Sequence, residues 1–171
     1  AIALERRMLA PLRDRAEYII DTSNLSTAKL KGELRRLFAK GGTLEGRMDV
    51  RVTSFGFKHG VPMEADLVFD VRFLPNPYYV PELKEHDGTE GPVRDYVMNA
   101  PESHEMLQKL EELLAFSIPL YQREGKSQLV VAVGCTGGRH RSVAIACQLA
   151  AYLRSLGYRV ELSHRDKDNR R

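Results

Sequence analysis

The sequence predicts an α/β domain with a mixed sheet that contains a βαβ unit. Three observations support this fold class: the apolar segment "SQLVVAV", the amphipathic segment "RSVAIACQLAAYLRSLG" that follows a glycine-rich turn, and the closing apolar segment "YRVELSH". Strand, turn, helix and strand in that order and at that spacing are typical of parallel strands joined by a crossover helix.

The first part of the chain predicts a helix, a strand and a second helix. The helices are indicated by the amphipathic segments "ALERRMLAPLRDRA" and "SNLSTAKLKGELRRLFAK", and the strand by the short apolar run "EYIIDT" between them. Ser23, Asn24 and Ser26 are all suitable N-cap residues for the second helix. The glycine-rich segment "GGTLEG" then interrupts the pattern. The predicted divisions are the tail of one domain at residues 1–40, a linker at 41–46 and the main domain at 47–171.

The main domain is predicted to begin with two strands joined by a turn. The segment "RMDVRVTSFGF" at residues 47–57 alternates with period two, and "DLVFDVRF" at residues 66–73 is a second apolar run. The following segment "LPNPYYVPEL" carries three prolines, so it is predicted to be a stiff, extended loop. Apolar residues at helical spacing then predict a helix over residues 103–122.

Composition narrows the class of protein. The chain has 171 residues, enough for one good core, and its net charge of +3 is far from the strong positive field of a dedicated nucleic-acid binder. Its two cysteines cannot form a disulfide framework, and no Cys/His spacing resembles a zinc site. No apolar stretch approaches the roughly 20 residues of a membrane span. We therefore predict a cytoplasmic protein without a metal site.

The segment "LVVAVGCTGGRHRS" at residues 129–142 is the strongest functional signal in the chain. A turn between a strand and a helix exposes unpaired backbone N–H groups, and the helix dipole there favours an anion. Its glycines let the backbone approach a ligand closely, and its basic residues oppose the helix dipole unless an anion compensates them. These residues are Gly134, Gly137, Gly138, Arg139, His140 and Arg141. We call residues 134–140 the glycine loop and predict that it binds a phosphate.

A second interpretation of the same segment is a cysteine phosphatase. Cys135 and Arg141 stand at the C-x5-R spacing of protein tyrosine phosphatases, in which the cysteine thiolate attacks a phosphate held by the loop. The phosphatase signature has histidine where Gly134 stands, and a Trp-Pro-Asp loop is impossible because the chain has no Trp. The candidates for a general acid would be Asp66, Asp70, Asp87 and Asp95. None of them has a distinguishing sequence context, so the anion-binding interpretation is preferred.

Three stretches of the chain closely resemble the RapZ/YvcJ family of bacterial nucleotide-binding proteins, also called RNase adapter proteins. They are "SFGFKHGVPMEADLVFDVRFLPNPYYVPEL", "EGKSQLVVAVGCTGGRHRSVAIA" and "IIDTSNLS". In that family an N-terminal P-loop kinase-like domain binds ATP or GTP, and "IIDTSNLS" lies near its end. The Walker A pattern G-x-x-x-x-G-K-[ST] does not occur in this chain. The resemblance therefore implies a C-terminal domain that carries the end of the nucleotide-binding domain.

The resemblance also implies a fold similar to a sugar-phosphate-binding part of phosphofructokinase. Enterobacterial members sense glucosamine-6-phosphate, bind small regulatory RNAs and present one of them to an endoribonuclease, and they thereby control amino-sugar synthesis. For this chain the implied partners are a small anionic metabolite, small RNA, an endoribonuclease or another regulatory protein, and further copies of itself. The chain is expected to have no cofactor and no enzymatic activity, whereas the full-length bacterial parent is expected to bind ATP or GTP with weak NTPase activity.

The predicted ligand pocket combines the glycine loop with residues from other segments. Lys58 and His59 follow a strand, which places them at a pocket rim or in an exposed turn. Asp70 and Arg72 share one strand face and form either a simple ion pair or, as the resemblance implies, part of the pocket. Asn76 is expected to hydrogen-bond a sugar hydroxyl or to cap its turn. The predicted set is Lys58, His59, Asp70, Arg72, Asn76, Gly134, Cys135, Thr136, Gly137, Gly138, Arg139, His140, Arg141 and Ser142.

Two further groups of residues have alternative interpretations. Cys135 is expected to be a small residue beside the anion site rather than a nucleophile, and Cys147 is expected to lie in the core. The basic C-terminal segment "SHRDKDNRR" is either a solubilising terminus or, as in RNA-binding relatives, a contact for RNA phosphates. Its candidate RNA-binding residues are His164, Arg165, Lys167, Arg170 and Arg171.

Overall fold

A computed structural model describes residues 2–38 and 48–169 of the chain. The chain divides into two compact units, Ala1–Glu45 and Gly46–Arg171. The predicted linker at residues 41–46 lies outside the described residues.

The described part of the first unit contains two helices, α1 at Ile2–Arg15 and α2 at Thr27–Phe38. Helix α2 begins directly after Ser26, whose side-chain hydroxyl accepts the Lys29 N–H at 3.3 Å and so caps the helix. The predicted strand "EYIIDT" is wrong, because these residues form irregular structure. A strand needs a hydrogen-bonding partner, and the described part of this unit contains no other strand with which it could pair.

The second unit is built on a sheet of four parallel strands in the order β2-β3-β1-β4. The strands are β1 at Asp49–Gly56, β2 at Leu67–Asp70, β3 at Gln128–Cys135 and β4 at Arg159–His164. The connecting helices are α3 at Gly91–Met98, α4 at Pro101–Arg123 and α5 at Arg141–Ser155. The α/β class is therefore confirmed, but every described strand pair is parallel, so the expectation of a mixed sheet is wrong.

Helix α5 connects β3 to β4 as predicted, yet these two strands are not neighbours. Strand β1 lies between them and pairs with both in parallel. Every residue of β1 from Val52 onwards is buried, as expected for a strand in the middle of a sheet. Strand β1 therefore ends in the middle of the sheet, beside the loop that follows β3.

Helix α3 was not predicted from the sequence. It is short, it begins with Gly91 and Pro92, and Val93 and Val97 are its buried residues. Two apolar positions four residues apart are too weak a pattern to distinguish a helix from a loop.

The core lies where the helices pack on one face of the sheet. Its largest fully buried side chains are Met48, Leu114, Ile118, Leu129, Ile145, Leu149 and Leu153. Among the described residues, no helix is both long enough and apolar enough to span a lipid bilayer.

Replacing Leu114 with alanine is expected to reduce the free energy of unfolding by about 2–5 kcal/mol, because it leaves a cavity in this core. Leu114 is 0% exposed in α4, whereas its neighbour Leu113 is 45% exposed. Leu113→Ala is therefore the matched control, with an expected loss of about 0.5 kcal/mol or less. Urea unfolding of the three proteins provides the measurement, and equal losses in both variants would contradict the described orientation of α4.

Candidate functional site

The carboxyl ends of all four strands meet at one edge of the sheet. Because the strands are parallel, the residues that follow β1, β2, β3 and β4 lie close to one another there, next to the N-terminus of α5. This is the position at which α/β proteins commonly bind their ligands. The glycine loop connects β3 to α5 at this edge.

The glycine loop packs directly against the backbone of β1. A Cβ atom added to Gly56 would lie 2.6 Å from the carbonyl carbon of Gly137, and one added to Gly138 would lie 2.6 Å from the amide nitrogen of Gly56. Gly138 also has a φ angle of +77°, which favours glycine. Contact between the two backbones therefore requires glycine at both Gly56 and Gly138.

The other two glycines of the loop have different roles. A Cβ on Gly134 would collide with the rings of Phe55 and Phe57, each at 2.5 Å, so this glycine makes room for aromatic packing. A Cβ on Gly137 would meet only the Cε atom of Lys58, at 3.9 Å. The backbone at Gly137 is therefore open on that side, with the Lys58 side chain beside it.

Arg141, the first residue of α5, is buried beside the glycine loop. It is 5% exposed, and its Nη1 group donates to the backbone carbonyls of Arg72 and Leu74. Its Nη2 group donates to the hydroxyl of Thr136 at 3.1 Å. Its Nε group is buried and has no hydrogen-bond partner among the described residues. The Nε and Nη2 groups form one edge of the guanidinium plane. Because Nη2 binds Thr136, this edge faces the loop, and its Nε–H group has no acceptor among the described residues.

Arg139 and His140 instead hold the loop in place. The guanidinium of Arg139 donates to the backbone carbonyls of Glu85, His86 and Lys167. His140 is buried, and because a carbonyl can only accept, its Nε2 group must donate to the carbonyl of Lys84 at 3.1 Å. Both side chains thus fix neighbouring backbone segments to the start of α5, and the charge they were expected to offer to a ligand is directed elsewhere.

Cys135 ends β3 at the start of the loop, and its thiol is hydrogen-bonded. It is buried, its Sγ atom accepts the Gly138 N–H at 3.3 Å, and it lies 3.1 Å from the Ser142 hydroxyl. Ser142 is fully buried in the first turn of α5, so these contacts link the loop to the helix.

The aspartates that could serve a phosphatase do not form a general acid in the described part of the chain. The hydrogen bond from Arg72 lowers the pKa of Asp70. Burial alone would raise the pKa of Asp87, but hydrogen bonds from Thr89 and Lys167 outweigh it and lower the pKa. Asp66 precedes β2, at the opposite edge of the sheet, and Asp95 pairs with Arg94 in α3. The cysteine-phosphatase interpretation is therefore unsupported.

The rim of the site is formed by residues that follow β1 and β2. Asp70 and Arg72 form an ion pair of 2.6 Å at the end of β2, and the Arg72 guanidinium lies over the Phe57 ring at 4.2 Å from its centroid. Lys58 and His59 are exposed, and the Lys58 amide donates to the Thr136 carbonyl at 3.2 Å. The rim therefore contains both charge signs next to the loop.

Asn76 caps its own turn. Its side-chain oxygen accepts the Tyr78 N–H at 3.3 Å at the start of a short 3-10 helix, Pro77–Tyr79. Of the two roles considered for Asn76, turn capping is the one that its described contact provides.

No group of three or more His, Cys, Asp or Glu residues within 2–38 and 48–169 is arranged to hold a metal ion. The chemistry available at the site is therefore that of backbone N–H groups, a buried guanidinium and an Asp–Arg pair. This combination suits an anion that also carries hydroxyl or amino groups.

Two protein-domain families match this chain. The family described as the RapZ C-terminal domain matches residues 48–168, and the RapZ-like N-terminal domain matches residues 1–42. The chain belongs to the RapZ family. This confirms the resemblance carried by the three sequence stretches.

Relatives in the RapZ family are similar along nearly the whole of this chain. A nucleotide-binding protein of Alkaliphilus oremlandii is 54% identical over 167 residues, which cover 98% of this chain and 57% of the relative. A nucleotide-binding protein of Clostridium kluyveri is 51% identical over 165 residues, 96% of this chain and 56% of the relative. One of Caldanaerobacter subterraneus is 54% identical over 162 residues, 95% of this chain and 57% of the relative. The chain thus spans a little over half the length of these relatives.

The C-terminal residues expected to contact RNA in this RapZ-family chain have partners within the protein. His164 lies 2.8 Å from the Ser54 hydroxyl, Arg165 binds Asp166, and Lys167 binds Asp87 at 3.2 Å. Arg170 and Arg171 lie outside the described residues. RNA binding by this segment stays a prediction, and any such contact through Arg165 or Lys167 would compete with these bonds.

Two residues at the site were missed by the sequence analysis. Gly56 ends β1 and supports the loop, and Asp166 accepts its N–H at 2.7 Å. Asp166 is buried, although it stands in a charged segment that is typical of an exposed terminus. A glycine at the end of a buried strand was an available signal for Gly56. No local pattern indicates a buried carboxylate at Asp166.

Lowering the pH from about 7 to about 5 is expected to reduce the free energy of unfolding of this RapZ-family chain. Burial lowers the pKa of His140 and of His164 below the usual value of 6.5. Below pH 6.5 the unfolded chain therefore binds protons that the folded chain does not, so acidification favours unfolding until the lower folded-state pKa values are reached. Urea midpoints measured across this range should fall, and fall less in His164→Asn. A midpoint that rises on acidification would contradict this expectation.

Proposed function

We propose that this chain is a ligand-sensing domain that binds a sugar phosphate, of the type of glucosamine-6-phosphate, at the glycine loop. The observation that carries the proposal is the buried, unpartnered Nε group of Arg141 on a guanidinium edge that faces Thr136. An unsatisfied buried charged donor is costly, and a phosphate oxygen would satisfy it. The N-terminus of α5, a helix of 15 residues, adds its dipole at the same place.

The rim supports a ligand with more than a phosphate group. Lys58 lies beside the open backbone at Gly137, where its ammonium group would add to the attraction of a phosphate. The carboxylate of Asp70 is held near both Arg72 and Arg141, and the pKa lowered chiefly by the Arg72 hydrogen bond keeps it ionised. An ionised carboxylate beside a phosphate would accept hydrogen bonds from a sugar hydroxyl or ammonium group.

Calorimetric titration of the chain with three compounds tests this function. Glucosamine-6-phosphate should bind most tightly, inorganic phosphate more weakly, and glucosamine weakest of all, because most of the binding energy is assigned to the anion. If glucosamine bound as tightly as its phosphate, the anion site would be refuted. If inorganic phosphate bound as tightly as the sugar phosphate, the loop would bind anions but sugar recognition by the rim would be refuted.

We further propose that nucleotide binding by the whole protein uses residues outside this chain. The relatives are named nucleotide-binding proteins, and this chain spans a little over half their length. The Walker A pattern is absent from the sequence. The glycine loop is accordingly proposed as a regulatory site for a small metabolite, with no catalytic step assigned to it.

A further inference from the structure

The C-terminal segment at residues 165–169 contacts the glycine loop and β1 together. Its central residue, Asp166, is 3% exposed and accepts the Gly56 N–H at 2.7 Å. A Cβ added to Gly138 would lie 2.9 Å from the Asp166 Cβ atom. Asp166 therefore touches both members of the Gly56–Gly138 backbone contact.

A second connection links the same segment to Arg139, the residue that follows Gly138 in the loop. Arg139 donates to the Lys167 carbonyl at 3.0 Å, and the Lys167 ammonium group donates to Asp87 at 3.2 Å. Gly88 packs on the start of α5, where its N–H donates to the Arg139 carbonyl at 2.9 Å. The segment thus contacts the loop at two adjacent residues, Gly138 and Arg139, and contacts β1 at Gly56.

A buried carboxylate beside an anion site is unfavourable on electrostatic grounds alone. Arg165 offsets this charge, because its guanidinium contacts both carboxylate oxygens of Asp166, the closest at 2.7 Å. Burial alone would raise the pKa of Asp166, but the hydrogen bonds from Arg165 and Gly56 outweigh it and lower the pKa, with a smaller contribution from His59. Asp166 is therefore a carboxylate at neutral pH, and its contacts are with the backbone that shapes the loop.

We propose that Asp166 is the positioning residue of the anion site: it holds Gly56 and the glycine loop in the shape that receives an anion. As a consequence, anion binding at the loop and docking of residues 165–169 stabilise each other, since a coupling between two sites is reciprocal. This inference rests on the proposed function, because it takes the loop as the place where the anion binds.

The affinities of Asp166→Asn and Asp168→Asn for inorganic phosphate distinguish the positioning role of Asp166 from the effect of its negative charge. Both variants remove one negative charge from the same segment, but the Asp168 side chain is 91% exposed. Asp166→Asn should weaken phosphate binding roughly tenfold, since the acceptor of the Gly56 N–H loses its charge and the ion pair with Arg165 is lost. Asp168→Asn should change it by about twofold at most. Phosphate binding to Asp166→Asn that equals or exceeds that of the wild type would overturn the proposal.

Amide hydrogen exchange, followed by NMR, provides a second measurement. In the wild-type chain, bound phosphate should slow exchange at residues 165–169, and an unchanged rate there at saturating phosphate would overturn the proposed coupling even if Asp166→Asn failed to fold. Without any ligand, the amides of Gly56 and Gly138 should exchange at least about tenfold faster in Asp166→Asn than in Asp168→Asn. Equal rates would overturn the positioning role. If the wild type did not bind phosphate but this difference appeared, the proposed function would fail while the role of Asp166 in holding the loop would stand.

Discussion

Replacing Arg141 with alanine is expected to weaken the binding of glucosamine-6-phosphate and of inorganic phosphate by roughly tenfold to a hundredfold. This corresponds to the loss of a charge-assisted hydrogen bond of about 1.5–3 kcal/mol. Arg141 is suited to this effect because its Nη1 group is already fixed by the Arg72 and Leu74 carbonyls, so little side-chain entropy is lost on binding. Arg141→Lys keeps the charge but not the planar fork, and should recover only part of the affinity.

The matched control for this substitution is Arg159→Ala. Arg159 begins β4 at the opposite edge of the sheet, its side chain is 71% exposed, and its nearest ion-pair partner is Asp49 at 3.6 Å. Arg159→Ala removes the same charge as Arg141→Ala, but far from the loop, where salt screens most of the interaction with the bound anion. The affinity should therefore change by about twofold at most. Circular dichroism must show both variants folded. Equal affinities in Arg141→Ala and the wild type would refute the assignment of Arg141 to the anion site.

Replacing Gly138 with alanine is expected to reduce the free energy of unfolding by about 2–4 kcal/mol, for two additive reasons. Alanine at a φ angle of +77° is strained, which costs about 1 kcal/mol. The new Cβ would also lie 2.6 Å from the Gly56 nitrogen and 2.8 Å from the Phe55 carbonyl carbon, so two backbones would have to separate, at a cost of about 1–3 kcal/mol.

Gly60 offers a control with a similar φ angle. Its φ angle is +83°, but a Cβ added there would meet no atom within 4 Å. Gly60→Ala should therefore cost only the strain, about 1 kcal/mol. Guanidinium chloride unfolding of both variants measures the difference. Equal losses would mean that the loop and β1 do not pack as closely as described.

The separation of β1 from the loop in Gly138→Ala should also reduce phosphate affinity. The amide groups of the loop are the proposed donors to the anion, and they would move as the two backbones part. Gly60→Ala should keep the wild-type affinity, because Gly60 belongs to the turn after β1 and not to the loop. This second comparison distinguishes a change in the shape of the site from a general loss of stability.

Much of the fold was predictable because its signals are local. The apolar run of β3, the glycine turn and the helical spacing of α5 lie next to each other in the chain, and the βαβ unit followed from them. The segment "EYIIDT" shows the limit of this reasoning, because an apolar run forms a strand only where another strand can pair with it. Helix α3 shows another limit, since its two core residues carry almost no periodic signal.

The location of the candidate site was also predictable, but the roles of its basic residues were not. A glycine-rich turn before a helix indicates an anion site wherever it occurs. Arg139, His140 and Arg141 are adjacent in the sequence and all are basic residue types, so no local rule separates their roles. In the folded chain the first two bind carbonyls of the segment at residues 84–86, and only Arg141 keeps a buried donor without a partner.

The sequence by itself determined that this protein has an α/β domain, a glycine-rich loop between β3 and α5, and membership of the RapZ family, because each depends on residues that are contiguous in the chain. Tertiary structure alone decided that β1 lies between β3 and β4, and that Gly56 and Asp166 support the loop. Gly56 and Asp166 are 110 positions apart. Contacts at that separation depend on how whole strands pair and helices pack, which local propensity and spacing do not encode.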